Sequence, residues 1–303
     1  MPRLEDGETD VSLEAAARLI QRQFPALAPV QLEFLGAGVD NAAFRVNGRL
    51  VFRFPRHEFA AGLIERELRV LPLLAPRLPL PIPAPAFVGT PDEDYPYPFA
   101  GYPLLPGTTA CQIAWSDEER ERHAVPLGEF LSALHGIPVN EETRAWGPAG
   151  TISRTNLEKH APVLKGWLRA MAPRVTGIEI DALLALVDRL AATPLRAAPL
   201  CWVHGDLYAR HLLVGPAHHL CGVIDWGDVA LGDPALDLSI AFSFLPPGAR
   251  DRFREAYGPL DAMTWDRARF RALHYGAALV DAGAGSGDEA IRAAGEYALR
   301  AAA

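Results

Sequence analysis

The chain has 303 residues, half of them hydrophobic and 22% charged, enough to bury one large core or two smaller ones; disordered, collagen-like and coiled-coil chains are excluded. A formal charge of −8 argues against a polyanionic partner such as duplex DNA, while a small cationic ligand is compatible with it. Cys111, Cys201 and Cys221 have neither paired nor CxxC spacing, so neither a disulfide framework nor a zinc knuckle is suggested.

The N-terminal MPRLEDGETD is acidic where a secretory leader is basic, and no stretch reaches about eighteen uninterrupted apolar residues. A cytoplasmic protein with no nucleic-acid, membrane or obligate protein partner is the expectation. Val11 to Phe24 sets Leu13, Ala17, Ile20 and Phe24 at helical spacing. VQLEFLGAGVDNAAFRVNGRLVFRFPR then alternates apolar and polar residues around Gly36, Gly38 and the Asn47-Gly48 turn, which predicts three antiparallel strands. Ala60 to about Leu74 returns to helical spacing, kinked or ended at Pro72, and the proline-dense 76–85 reads as an extended connector rather than a PxxP docking segment. Phe99 to Leu105 is the final strand of this region. Beyond it Ser116 and Glu119 have capping-box spacing ahead of one long helical segment stopped by Gly136, and further helices fill 155–192.

From Leu200 to Asp225 two short apolar runs flank a turn-rich gap, a loop feeding a β-hairpin. Asp233-Pro234 opens the next helix, and helices continue to the Ala-rich end. A β-rich first third followed by a helical remainder with one embedded hairpin predicts an α+β protein of two lobes, divided at 104/105.

Three polar groups gather around that hairpin: Asp206 in His204-Gly205-Asp206, His211 five residues on, and Asp225 across the ribbon. Both carboxylates emerge from apolar sequence, where an unpaired charge is costly, so each needs a partner or a metal. HGDLYARHLL with VIDWGDVALGDPALDL resembles the catalytic region of the aminoglycoside and macrolide phosphotransferases, with the macrolide branch similar in carrying His at 211. The resemblance implies a protein-kinase-like fold with a small β-rich N-lobe and a larger helical C-lobe holding the catalytic hairpin. It also implies Mg²⁺ as cofactor, ATP or GTP as donor and a small-molecule acceptor. Asp206 would accept the substrate hydroxyl's proton, with Asp225 and His211 at the metal. His204, Asp233 and Asp237 would support the loop from behind, Asp233 also serving as a helix cap.

The same resemblance places Gly36 and Gly38 over the triphosphate, and Tyr102 and Leu104 at a hinge whose backbone meets the purine. In the third strand the two-residue alternation separates Arg53 from Phe52 and Phe54, and Glu67 lies on the apolar face of its helix among Leu63, Ile64, Val70 and Leu71. With no lysine in this lobe, Arg53 is the candidate for the cation that pairs with Glu67. His135 reads as a structural histidine near its helix's C-terminal carbonyls, and His218 and His219 as exposed turn residues. Two other functions stay open: a metabolic kinase of the same fold acting on choline-, homoserine- or sugar-like acceptors, and a metal-dependent hydrolase built on His204, Asp206, His211 and Asp225.

Overall fold

The computed structural model describes residues 11–144, 155–192 and 200–303; the acidic leader lies outside them. The chain packs as two compact units. One takes the described residues up to Pro76 with Pro81–Leu105, and the other takes Arg77–Leu80 with the described residues from Pro106 onward.

The first unit begins with α1 (Leu13–Gln23), whose start is fixed by the Ser12 hydroxyl accepting from the Ala15 amide at 3.2 Å. Strands β1 (Leu32–Ala37), β2 (Asn41–Val46), β3 (Leu50–Pro55), β4 (Phe87–Gly89) and β5 (Phe99–Pro103) form one antiparallel sheet in the order β1-β2-β3-β5-β4. Alternation works as the sequence suggests: Phe44, Phe52, Phe54 and Phe99 are buried beside Ala16, Leu19 and Ile20 of α1, with the Phe54 and Phe99 rings stacked at 4.6 Å. β4 was not anticipated. It has three residues, too few to show a period, and exists through its pairing with β5. Between β3 and β4, α2 (Glu58–Leu74) runs through Pro72 without ending, because a proline so near the C-terminus removes a single ladder bond.

The second unit opens with the short β6 (Thr108–Thr109). Ser116 and Glu119 make the capping box, but the helix it starts, α3 (Asp117–Glu121), stops early, and α4 (Ala124–His135) follows as a separate helix capped by Gly136. Pro126 accounts for the break, since it has no N–H to give the carbonyl of residue 122. Then come α5 (Glu141–Arg144), α6 (Leu157–Met171) and α7 (Ile180–Ala191). Next are β7 (Cys201–Val203), the hairpin β8 (Leu212–Val214) and β9 (Leu220–Val223), and β10 (Ala230–Gly232). α8 (Ala235–Leu238), α9 (Ile240–Ser243), α10 (Arg250–Tyr257), α11 (Ala262–Ser286) and α12 (Glu289–Ala302) complete the chain. β8 pairs with β9 and β6, whereas β7 pairs with β10, so the His204-Gly205-Asp206 segment leaves one ribbon and enters another. Among the described residues no helix is long and apolar enough to cross a membrane.

Candidate active site

The loop from β7 to β8 is held from beneath by one carboxylate. Asp237, fully buried on α8, accepts the His204 amide at 2.7 Å on Oδ2 and the Gly205 amide at 2.9 Å on Oδ1. His135 Nε2 lies 3.2 Å from the same carboxylate, and its Nδ1 lies 3.0 Å from the Tyr257 hydroxyl. His135 is structural, as expected, but its partners are Asp237 behind the loop and Tyr257 rather than the carbonyls of its own helix. Gly205 has φ +84, and a Cβ there would lie 2.6 Å from the Asp228 carbonyl oxygen, so the motif's glycine is required by both backbone conformation and space.

His204 is enclosed. Its Nδ1 accepts the Asp206 amide at 3.3 Å, leaving Nε2–H to donate to the Ile224 carbonyl at 3.0 Å, and its ring lies 4.6 Å from that of Trp226. Burial, helped by the neighbouring His211, holds its pKa below the ordinary imidazole value, as this neutral tautomer requires. With both nitrogens committed to backbone, His204 is no metal ligand, and the described residues contain no cluster of three or more His, Cys, Asp or Glu arranged to hold a metal. The hydrolase reading loses His204 from its ligand set.

Asp206, Asp225 and His211 do come together. His211 Nδ1–H donates to the Asp206 carbonyl at 2.7 Å, with the Asp206 carboxylate 3.8 Å away, and Nε2 lies 3.3 Å from Asp225 Oδ2. Burial disfavours the His211 cation, but Asp225 and then Asp206 outweigh it and raise its pKa. Asp225 is half exposed and sits in the left-handed region at φ +64, a conformation that aspartate tolerates better than most residues and that marks functional positions. Asp233 accepts the Ala235 amide at 2.9 Å, the expected local cap, and also Arg267 Nε at 2.7 Å. Arg267 is a buried partner that the sequence did not disclose.

The largest omission is Tyr275. From α11 its hydroxyl donates to Asp206 Oδ1, and its ring lies 4.9 Å from that of Tyr208. Burial, reinforced by the Asp206 charge, keeps the phenol's pKa well above its usual value, so it remains a donor. The segment FRALHYGAAL shows an apolar helix and nothing that singles out this hydroxyl.

In the first unit Arg53 Nη1 contacts both oxygens of Glu67, at 2.8 and 3.0 Å, and Glu67 is 1% exposed. Tyr102 adds its hydroxyl to Glu67 Oε2 at 3.0 Å, so its side chain, and not its backbone alone, belongs to this cluster. The Leu104 amide donates to the Arg49 carbonyl at 2.9 Å, which leaves its carbonyl as the backbone group that could meet a purine. In the glycine-rich turn Gly36 has φ +155, and a Cβ on Gly36 or Gly38 would meet nothing within 4 Å. The Gly38 amide closes the turn on the Asn41 carbonyl at 2.9 Å.

A loop aspartate, a histidine and a second aspartate held together in an α+β protein are compatible with phosphoryl transfer. Residues 31–273 match the model of the phosphotransferase enzyme family, and the chain belongs to that family. The GDP complex of wild-type aminoglycoside 2'-phosphotransferase-IIIa superposes with a TM-score of 0.69 at 25% identity, covering 96% of this chain and 98% of that one. Macrolide 2'-phosphotransferase MphH from Brachybacterium faecium is similar in fold, with a TM-score of 0.61 at 24% identity over 95% of this chain and 97% of its own. A viomycin phosphotransferase from Streptomyces vinaceus is 33% identical over 139 residues, 45% of this chain but only 37% of that protein.

Proposed function

We propose that the protein transfers the γ-phosphate of ATP or GTP to a hydroxyl of an antibiotic of the macrolide or aminoglycoside kind. The observation that carries this reading is Asp206, whose carboxylate is aimed by Tyr275 while its backbone is carried by Asp237 through His204 and Gly205. The acceptor's oxygen attacks the γ-phosphorus as its proton passes to Asp206, and the bond to the β–γ bridging oxygen breaks, releasing the nucleoside diphosphate. Little covalent work falls to the protein, so alignment and charge neutralisation dominate. Asp225 and His211 would hold Mg²⁺. An exposed carboxylate beside one imidazole leaves positions for phosphate and water oxygens, the set this ion prefers, and when bound it would neutralise charge on the transferring phosphate. Arg53, anchored by Glu67 and Tyr102, would bind the donor's phosphates, the permanent charge of Arg standing where related kinases use Lys.

The aromatic surface beside Asp206, made by Tyr208 and Tyr275 with the Arg271 guanidinium 4.6 Å over the Tyr275 ring, suits a large apolar acceptor better than a polycation. The test is mass-spectrometric. Protein, Mg²⁺ and ATP or GTP are incubated with macrolides, kanamycin, gentamicin, streptomycin and viomycin, and one added phosphate on at least one of them is expected. Phosphorylation only of choline-, homoserine- or sugar-like acceptors overturns the antibiotic reading and favours the metabolic one.

Two variants probe the supports. Glu67→Gln frees Arg53 from its anchor while keeping a partner for Tyr102, and steady-state kinetics should show nucleotide KM rising about tenfold with little change in kcat. Tyr275→Phe removes the donor to Asp206 and should lower kcat about tenfold with nucleotide KM unchanged, the cost of one charge-assisted hydrogen bond. An unaltered kcat would remove Tyr275 from the machinery.

A further inference from the structure

The turn between β1 and β2 has little with which to hold its own shape. Gly36 and Gly38 contribute no side chain, a register shift between Phe34 and Gly36 interrupts the ladder, and Val39 at the tip is 77% exposed. The remaining support comes from the junction of β3 and α2. Pairing of Asn41 with Pro55 sets Arg56 beside Asp40, and the Arg56 amide donates to the Asp40 carbonyl at 2.8 Å. The Arg56 side chain, on a residue 4% exposed, donates from Nη1 to the Gly38 carbonyl at 2.9 Å. His57 adds a third tie. Its Nδ1 accepts the Ala60 amide at 3.2 Å as the cap of α2, which leaves Nε2–H facing Asp40 Oδ1 at 3.4 Å.

The side-chain tie fixes the sense of one peptide group. In a trans peptide the C=O and the following N–H point in opposite directions, so a Gly38 carbonyl drawn to Arg56 sends the Val39 N–H the other way. That N–H makes no hydrogen bond among the described residues. A glycine on one side of the peptide makes a flip cheap, and the flipped form would present an oxygen where the N–H now stands. To an anion the two forms are opposites: an outward N–H attracts phosphate oxygens and an outward carbonyl repels them.

We infer that Arg56 is a positioning residue for the phosphoryl donor, holding the Gly38–Val39 peptide with its N–H outward so that the turn meets the nucleotide's phosphates preformed. The inference rests on the donor named under the proposed function and is independent of the acceptor. Arg56 differs in this from Arg53: its side chain is buried, so it acts through the turn and not by touching the nucleotide. His57 complements it by drawing the Asp40 carboxylate, a like charge to phosphate, toward the start of α2.

The experiment is a calorimetric titration of the full chain with MgADP and, separately, MgGDP, without any acceptor. Arg56→Met keeps the packing of the stem and loses the donor to Gly38, and should raise Kd about tenfold for whichever nucleotide the parent binds. Arg56→Lys, which retains a charged donor, should recover binding to within about threefold of the parent. Hydrogen exchange adds a reading without nucleotide: amides of residues 37–41 should exchange at least about tenfold faster in Arg56→Met, with those of α1 and α2 unchanged. Should Arg56→Met melt below the assay temperature, Val39→Pro carries the test, since it deletes the outward N–H at an exposed position and should weaken binding about tenfold. A Kd within twofold of the parent in Arg56→Met or in Val39→Pro, or no recovery in Arg56→Lys, overturns the inference and leaves the donor reading standing. A parent chain that binds neither nucleotide overturns both.

Discussion

Asp206→Asn should reduce kcat about 10²–10⁴-fold, the range for removing a general base, with nucleotide KM within about twofold of the parent protein. The substitution is nearly isosteric. Asparagine still accepts from the Tyr275 hydroxyl, and the amide that Asp206 donates to His204 is untouched, so the loop keeps its shape while losing its proton acceptor. A steady-state comparison of both parameters decides the matter: turnover within a factor of a few of the parent removes Asp206 from the base role, and a matching collapse of nucleotide affinity assigns it to donor binding.

Asp237→Asn should have the largest effect on the fold. The His204 and Gly205 amides go to different oxygens of this carboxylate, so an asparagine must turn its NH₂ toward one of two buried N–H groups. One donor is left unsatisfied and faces another, and the His135 contact is weakened as well. At about 1–3 kcal/mol for each buried group left unpaired, a loss of about 3 kcal/mol is expected. That corresponds to a melting temperature lower by roughly 6–12 °C in a domain of about 200 residues. Thermal melts of parent and variant check it, and a shift under about 2 °C would show that the loop does not depend on this brace.

The parts of the site visible in the sequence are those whose residues are near neighbours in the chain or obey a period. Asp206, His211 and Asp225 lie on either side of one short hairpin, so spacing alone brought them together, and Arg53 and Glu67 were separable from their neighbours because strand and helix periods assign each a face. Tyr275 meets Asp206 across 69 positions, and His135 meets Asp237 across 102. Neither pairing follows from a local pattern; both depend on how α11 and α4 pack. The same holds for β7 with β10, each three residues long. The division of the helical segment into α3 and α4 was legible in principle at Pro126, whose missing N–H has a local and calculable effect.

The left-handed backbone at Asp225 changes how any alanine scan of this loop should be interpreted. At φ +64 an alanine carries a steric penalty that aspartate and asparagine partly escape, so Asp225→Ala would combine a lost carboxylate with a distorted main chain and exaggerate the apparent role of the charge. The loss seen with Asn, which tolerates this backbone and lacks only the charge, measures what the carboxylate contributes, and the difference between Gly and Ala measures the main-chain penalty.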